Sequence, residues 1–418
     1  MSDFTHDSFH HLFSERILNT PRSFIREMLT VTQNSDIISF AGGLPEPSLF
    51  PVEEIALAAQ TALSEEGSRA LQYSTTEGYT ALRQWIVDDY ERRGMHTRVD
   101  EIIITAGSQQ ALDLIAKAFI DPGTTVLFER PAYLGALQAF ALSAPEIRET
   151  TLQPDGPELS SLERGVKGAR LFYCVPEFQN PSGVYYSMQK RRAIVEILRR
   201  EQTLLVEDEP YRELYYNDRE ALPALAALYD GPSISLGSFS KIVAPGMRLG
   251  WIRADRRLID KLLVAKQATD LHTSSFNQIV LYNYLSGRSL NDRLAELRRC
   301  YRERRDAMSD ALRTFLPQAE FTDPQGGMFH WVRLPGIDTA GIFRDVLEAG
   351  VAYVPGTSFY AHNPDTETMR LNFTNSAPDV IVDGVRRLST AVSGMLPASP
   401  RKKSEVLASS TQAGRASL

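Results

Sequence analysis

The middle of the chain alternates short apolar runs with helical patterns, and no other feature of the sequence limits the fold as much. Runs at 101–105, 125–128, 170–175, 203–206 and 233–236 read as strands, and apolar residues at helical spacing fill 108–120 and 188–200 between them. Strands this apolar must be covered on both faces, and helical crossovers cover both faces of a parallel sheet. The expected class is therefore α/β, with a largely parallel sheet between helices. From about Asp292 the pattern changes to a long charged helix over 294–312, a strand-like 327–334, a helix over 339–349 and strands near 352–354 and 369–373. This reads as a second, smaller α+β domain. The first 55 residues carry Pro21, Gly42, Gly43, Pro45, Pro47 and Pro51 and read as an extended arm around one short helix at 23–30. The tail, 397–418, is rich in Ser, Ala, Lys and Arg without periodicity and reads as disordered. The expected division is an arm with part of the small domain (1–55), a large domain (56–290), the C-terminal small domain (291–396) and the tail.

Composition narrows the function by exclusion. A formal net charge of −7 argues against a general nucleic-acid binder. The uncharged stretch 131–145, between Arg130 and Glu146, is shorter than the roughly 18 apolar residues a membrane span needs. Residues 1–11 hold Asp3, Asp7 and three histidines rather than a basic segment followed by an apolar one, so no secretory signal is expected. Two cysteines, Cys174 and Cys300, give neither a disulfide framework nor a thiolate zinc site. The expected location is cytoplasmic. His10, His11, His96, His330 and His362 are scattered, His272 reads as structural support, and no metal-ligand spacing occurs, so no metal is expected.

Chemistry concentrates in four places. Ser238-Phe239-Ser240-Lys241, followed by Pro245-Gly246-Met247-Arg248-Leu249-Gly250, sets an amine nucleophile just past a strand, beside hydroxyl and guanidinium donors suited to a phosphate. Alone, a lysine between serines is ordinary turn chemistry. About thirty residues upstream, the run 203–206 ends in Glu207-Asp208-Glu209-Pro210-Tyr211. That places carboxylates at the C-terminal end of a buried strand, where α/β sheets bind ligands, although an acidic loop is more often a solvated face. Asn180-Pro181-Ser182-Gly183 follows another strand and has the composition of a turn. In Thr105-Ala106-Gly107-Ser108-Gln109-Gln110-Ala111-Leu112, a strand runs through a glycine into a helix, an arrangement whose free N–H groups favour an anion. It matches neither nucleotide-binding glycine pattern.

Taken in order, these residues resemble the pyridoxal-5′-phosphate (PLP)-dependent class I/II aminotransferases of the aspartate-aminotransferase-like fold, and within them the 2-aminoadipate, aromatic and kynurenine branch. The resemblance runs from about Phe24 to Leu396 and adds Ser39–Pro45, Gln72-Tyr73-Ser74, Glu77-Gly78 and Arg370-Leu371-Asn372-Phe373 to the motifs above. It implies PLP fold type I: a three-layer αβα large domain around a mixed seven-stranded sheet, a small α+β domain built from both chain ends, and a homodimer with active sites at the subunit interface. It implies that Lys241 takes the cofactor aldehyde and then serves as the base at the substrate Cα. Asp208 would keep the ring nitrogen protonated, Tyr211 and Asn180 would bond the ring oxygen, and Tyr133 would stack on the ring. Ser108, Gln109, Ser238, Ser240 and Arg248, with Tyr73 of the partner subunit, would surround the phosphate. Arg370 would grip the substrate α-carboxylate through two parallel bonds, which lysine cannot reproduce. Pro210 departs from the small residue common in relatives without moving Asp208 or Tyr211. For the substrate side chain the resemblance points to Ser23, Arg26 and Gly43, with Arg26 facing a distal carboxylate such as that of 2-aminoadipate or glutamate. Phe24 and Leu44 offer aromatic or branched side chains a surface instead. Amino-acid and 2-oxo-acid substrates, 2-oxoglutarate among the acceptors, and ping-pong transamination are expected. A lyase or decarboxylase on the same scaffold is the alternative. A PLP-binding regulator is disfavoured because only about 40 residues precede Phe40, too few for a winged-helix domain.

Overall fold

The computed structural model describes residues 9–18, 20, 24, 36–217, 222–287 and 290–393. The expected helix at 23–30, apart from Phe24, and the tail at 397–418 lie outside the described residues. In chain order the strands are β1 (Ile38–Ser39), β2 (Ile102–Thr105), β3 (Thr125–Arg130), β4 (Glu146–Gln153), β5 (Gly156–Pro157), β6 (Leu171–Cys174), β7 (Leu204–Asp208), β8 (Ser233–Ser238), β9 (Gly250–Ala254), β10 (Phe329–Arg333), β11 (Val351–Ala352), β12 (Val354–Pro355) and β13 (Thr368–Asn372).

One mixed sheet of eight strands, in the order β2-β9-β8-β7-β6-β3-β4-β5, organises residues 102–254. The inner strands β4, β3, β6, β7 and β8 run parallel, while β9 lies antiparallel between β8 and β2. Seven strands were expected; the eighth is the two-residue β5, which folds back antiparallel on β4. Such a strand is below the length at which a period-two pattern can be seen. Every residue of β2, β6 and β7 is buried, as continuous apolar runs require of strands covered on both faces. Two groups of helices supply the cover. Ser108–Phe119 packs with Leu134–Ala141 and Arg256–Asp270, while Met188–Glu201 packs with Leu159–Gly165 and Leu225–Leu228.

In the C-terminal part of the chain β10, β13 and β12 form an antiparallel sheet, and the helices Leu290–Phe315 and Pro378–Val392 pack on each other, the second also against β1 and β11. The expected strand at 352–354 divides into β11 and β12. The first pairs in parallel with β1, so the N-terminal arm is stitched into the C-terminal part of the chain. The helix expected at 294–312 runs over Leu290–Phe315, and its buried face (Leu294, Leu297, Tyr301, Met308, Leu312) keeps helical spacing.

This topology decides where chemistry can occur. The C-terminal ends of β2, β3, β6, β7 and β8 lead to Gly107–Ser108, Pro131–Tyr133, Val175–Asn180, Asp208–Tyr211 and Ser238–Lys241 respectively. Segments far apart in sequence thus meet along one edge of the sheet, at the place where open α/β sheets bind ligands.

Candidate active site

A cavity of about 500 Å³ opens along that edge. Lys241, Asp208, Tyr211, Asn180, Tyr133, Ser108, Gln109, Ser238, Ser240, Arg248, Arg370 and Gly43 all line it. Tyr73 does not: it is 79% exposed on the surface, edge-on to His272, outside the cavity of its own chain. Ser23 and Arg26 lie outside the described residues.

The floor is acidic. Asp208 is the last residue of β7, and Tyr173 on the neighbouring β6 donates to its Oδ2 at 2.8 Å. Its Oδ1 is buried with no partner among the described residues. Burial pushes the Asp208 carboxyl up to about 7, with the Tyr173 bond working against this and the Glu209 charge adding to it. The acidic loop expected as a possible solvated face is buried instead. Glu209 pairs with Arg93 and, at 3.0 Å, with Arg212, and although its burial acts to raise the group, these guanidiniums hold it below its ordinary range. Glu207 accepts the backbone N–H groups of Leu225 and Ala226 at 2.7 and 2.8 Å. Glu177, which lies close to both, bonds Arg191 at 2.8 Å, so arginines neutralise Glu177 and Glu209, while burial pushes the Glu207 carboxyl up to about 8. These arginines come from helices and turns up to 116 positions away from Glu209, and the local sequence pattern carries no sign of them.

Lys241 lines the same cavity. Its Nζ donates to the Gly43 carbonyl at 2.8 Å. Burial lowers its pKa to about 8, and the Arg370 and Arg248 charges act in the same direction. A neutral amine is the nucleophile toward an aldehyde. Condensation of the cofactor-free protein with an aldehyde is therefore expected to speed up about tenfold per pH unit below about 8 and to level off above it. A stopped-flow absorbance titration reads this, and a plateau reached only near the ordinary lysine range would refute it.

One end of the cavity is built for an anion. The helix Ser108–Phe119 begins there with no side-chain cap on its first N–H groups. Gly107 precedes it at φ +81°, and a Cβ on Gly107 would meet Arg248 Nη2 at 2.9 Å, so only glycine lets the guanidinium come this close. Arg248 adopts a left-handed backbone (φ 52°) and donates to the Ala106 carbonyl at 3.1 Å, while Ser238 Oγ accepts the Ser240 N–H at 3.1 Å. Gln109 donates to the Gly135 carbonyl at 2.9 Å, and a Cβ on Gly135 would lie 2.6 Å from the Tyr133 ring.

Arg370, on β13, also lines the cavity and is fully buried. Its Nη1 donates to Asn180 Oδ1 at 2.9 Å and its Nη2 to the Ala41 carbonyl at 2.6 Å, and the guanidinium lies 4.2 Å over the Phe329 ring and 5.1 Å over Phe359. Its Nε is buried with no partner among the described residues. Burial lowers this group to about 10, still charged at neutral pH. Asn180 also donates to the Tyr211 hydroxyl at 3.4 Å. Tyr173 and Phe329 escaped the sequence reading because each sits inside an apolar strand, where an aromatic residue signals only core.

An anion cup, a reactive amine, a carboxylate with a free oxygen and a buried guanidinium with a free N–H therefore share one cavity. The set fits a phosphorylated aromatic aldehyde with a ring nitrogen, together with a carboxylate-bearing substrate.

The sequence pattern of the family described as aminotransferase class I and II matches residues 36–388. An aromatic-amino-acid aminotransferase of Thermococcus litoralis is 42% identical over 91% of this chain and 94% of its own. The crystal structure of alpha-aminoadipate aminotransferase from Thermus thermophilus, complexed with N-(5′-phosphopyridoxyl)-L-leucine, superposes with a TM-score of 0.86 at 41% identity, covering 93% of this chain and 99% of that one. Pyrococcus horikoshii kynurenine aminotransferase, crystallised with PMP, superposes with a TM-score of 0.88 at 41% identity, covering 94% and 99%.

Proposed function

The chain belongs to the class I and II aminotransferases, and from that premise we propose how its residues divide the work and which substrates they take. It is a PLP-dependent enzyme that moves an amino group between an amino acid and a 2-oxo acid. When bound, the cofactor supplies an aldehyde that takes up the donor amine and a protonated ring that draws off the electron pair released at Cα. Lys241 would hold that aldehyde and, once released by the donor amine, would serve through its neutral Nζ as the base for the Cα proton. Asp208 would keep the ring nitrogen protonated. The Ser108 helix end, Gln109, Ser238, Ser240 and Arg248 would hold the phosphate, Asn180 and Tyr211 the ring oxygen, and Tyr133 would cover the ring face. With Nη1 tied to Asn180 and Nη2 to Ala41, the Arg370 guanidinium is fixed in orientation and keeps its Nε–H and remaining η hydrogens for the substrate carboxylate. Donor and acceptor use this one carboxylate site in turn, which is the ping-pong order.

The observation that carries the reading is Lys241, Asp208 and Arg370 facing a single cavity from three separate parts of the chain. The cavity's remaining lining mixes Leu44, Leu134, Val175 and Phe329 with polar groups, which supports broad use of 2-aminoadipate, glutamate, aromatic and branched donors with 2-oxoglutarate as acceptor. Gly43 lines the pocket, and Ser23 and Arg26 of the arm are assigned to the substrate side chain. A homodimer is part of the proposal: Val52, Leu57 and Leu71, in the stretch that carries Tyr73, are 68, 66 and 70% exposed, and a second copy would cover them and bring Tyr73 of the partner subunit to the phosphate. Among the described residues no helix is long and apolar enough to cross a membrane. With both cysteines free, a cytoplasmic enzyme is proposed.

The test is single-turnover spectroscopy of the purified enzyme, adding amino acids one at a time without an oxo acid, beside light scattering for mass. Expected are loss of the cofactor-aldehyde absorbance with glutamate, 2-aminoadipate, aromatic and branched donors, and twice the chain mass. Conversion by none of these donors would overturn the substrate assignment, and a monomeric active enzyme would overturn the shared site.

A further inference from the structure

Asp208 is held from one side. Its Oδ2 accepts the Tyr173 hydroxyl at 2.8 Å, and its buried Oδ1 has no partner among the described residues. Tyr173 is fully buried on β6, one strand over from Asp208, and its ring packs against Phe128 and Phe140 with centroids 5.4 and 6.1 Å away. For that packing alone phenylalanine would serve, and a buried hydroxyl that found no partner would cost stability. The hydroxyl is spent on Asp208.

We propose that Tyr173 is a positioning residue for Asp208: its hydroxyl fixes the rotation of the carboxylate so that Oδ1 is the oxygen left for the pyridine nitrogen. The terminal torsion of an aspartate is broad, and a carboxylate without a second anchor would sample orientations in which neither oxygen faces the ring squarely. The bond also favours the charged form of Asp208, against the burial that raises it. Tyr173 stays a donor across the working range, because burial and then the Asp208 charge push its own pKa well above the ordinary value. The other groups that face the pair are Glu129, Tyr133 and Glu209, the last of them paired with Arg93 and Arg212.

The proposal rests on the cofactor and not on the choice of amino donor, so its readout is the bound cofactor itself. In the Tyr173→Phe holoenzyme the pH midpoint of the cofactor absorbance is expected to move by about one unit and the cofactor to dissociate about tenfold faster, on the scale of one charge-assisted hydrogen bond. In an Asp208→Asn background the same change is expected to alter cofactor affinity less than about twofold, because its route of action is gone. Phe140→Leu, which loosens the same ring without touching the hydroxyl, is expected to lower thermal stability and leave the midpoint unmoved. An unchanged midpoint and release rate in Tyr173→Phe would overturn the proposal. So would an equally large effect in the Asp208→Asn background, or a midpoint shift in Phe140→Leu as large as in Tyr173→Phe. A wild type that takes up no cofactor would overturn the cofactor assignment, and this proposal with it.

Discussion

Lys241→Ala is expected to lower kcat for amino transfer by about 10⁴-fold, because one change removes both the amine that takes the aldehyde and the base at Cα. The loss falls on chemistry, since the side chain's hydrogen bond to the protein goes to a backbone carbonyl, that of Gly43. The same substitution has a second, less obvious consequence. In the folded cofactor-free protein Lys241 gives up its proton near 8, whereas in the unfolded chain it does so near the ordinary lysine value of about 10.4. Between those values the unfolded state binds more protons, so stability rises with pH across that window. Below about 8 the buried charge is a full liability. Cofactor-free Lys241→Ala is therefore expected to unfold at higher temperature than the cofactor-free wild type at pH 7, with the gap closing toward pH 10. Calorimetry across that range checks it, and a variant less stable than wild type at pH 7 would show that the amine is held by more than desolvation and one bond.

The second large effect is expected of Arg370→Lys. Lysine keeps the charge but loses the planar fork that bonds Asn180 Oδ1 and the Ala41 carbonyl and lies over Phe329 and Phe359. Two buried acceptors are left short of a donor, and the substrate carboxylate meets a point charge of less certain position. A cost of about 3 kcal/mol corresponds to roughly a hundredfold in kcat/KM for amino acids, with the cofactor absorbance unchanged. The control is the matching amine without the α-carboxylate, whose kcat/KM is expected to change little. If the preference for the amino acid over the amine survives the substitution, the carboxylate is bound elsewhere.

Several elements were legible in the sequence because short-range rules govern them. The β2, β3, β6, β7 and β8 strands announced themselves as apolar runs too continuous for one-sided burial, and the helices Ser108–Phe119 and Met188–Glu201 by their spacing. The turn after β2, the carboxylates after β7 and the lysine after β8 could be placed at strand ends for the same reason. Other elements were not legible. β4, Glu146–Gln153, has a mostly polar, partly exposed sequence that takes its strand identity from pairing with β3. The glutamates beside Asp208 look like a solvated loop until arginines from distant helices and turns are folded onto them. Tyr173 and Phe329 carry no mark that separates a core aromatic from one that aims Asp208 or faces Arg370.

The chain by itself therefore determined the α/β alternation, the residues at each strand end, and through their order the family to which it belongs, since these depend on neighbours within a few positions. The tertiary structure decided what those residues face. The shared direction of β2, β3, β6, β7 and β8 brings five C-terminal ends to one edge, and β13 carries Arg370 to the same cavity from about 130 positions past Lys241. Burial there then shifts the amine down to about 8 and the carboxyl up to about 7. Desolvation is a property of everything packed around a group, and no local stretch of sequence contains it.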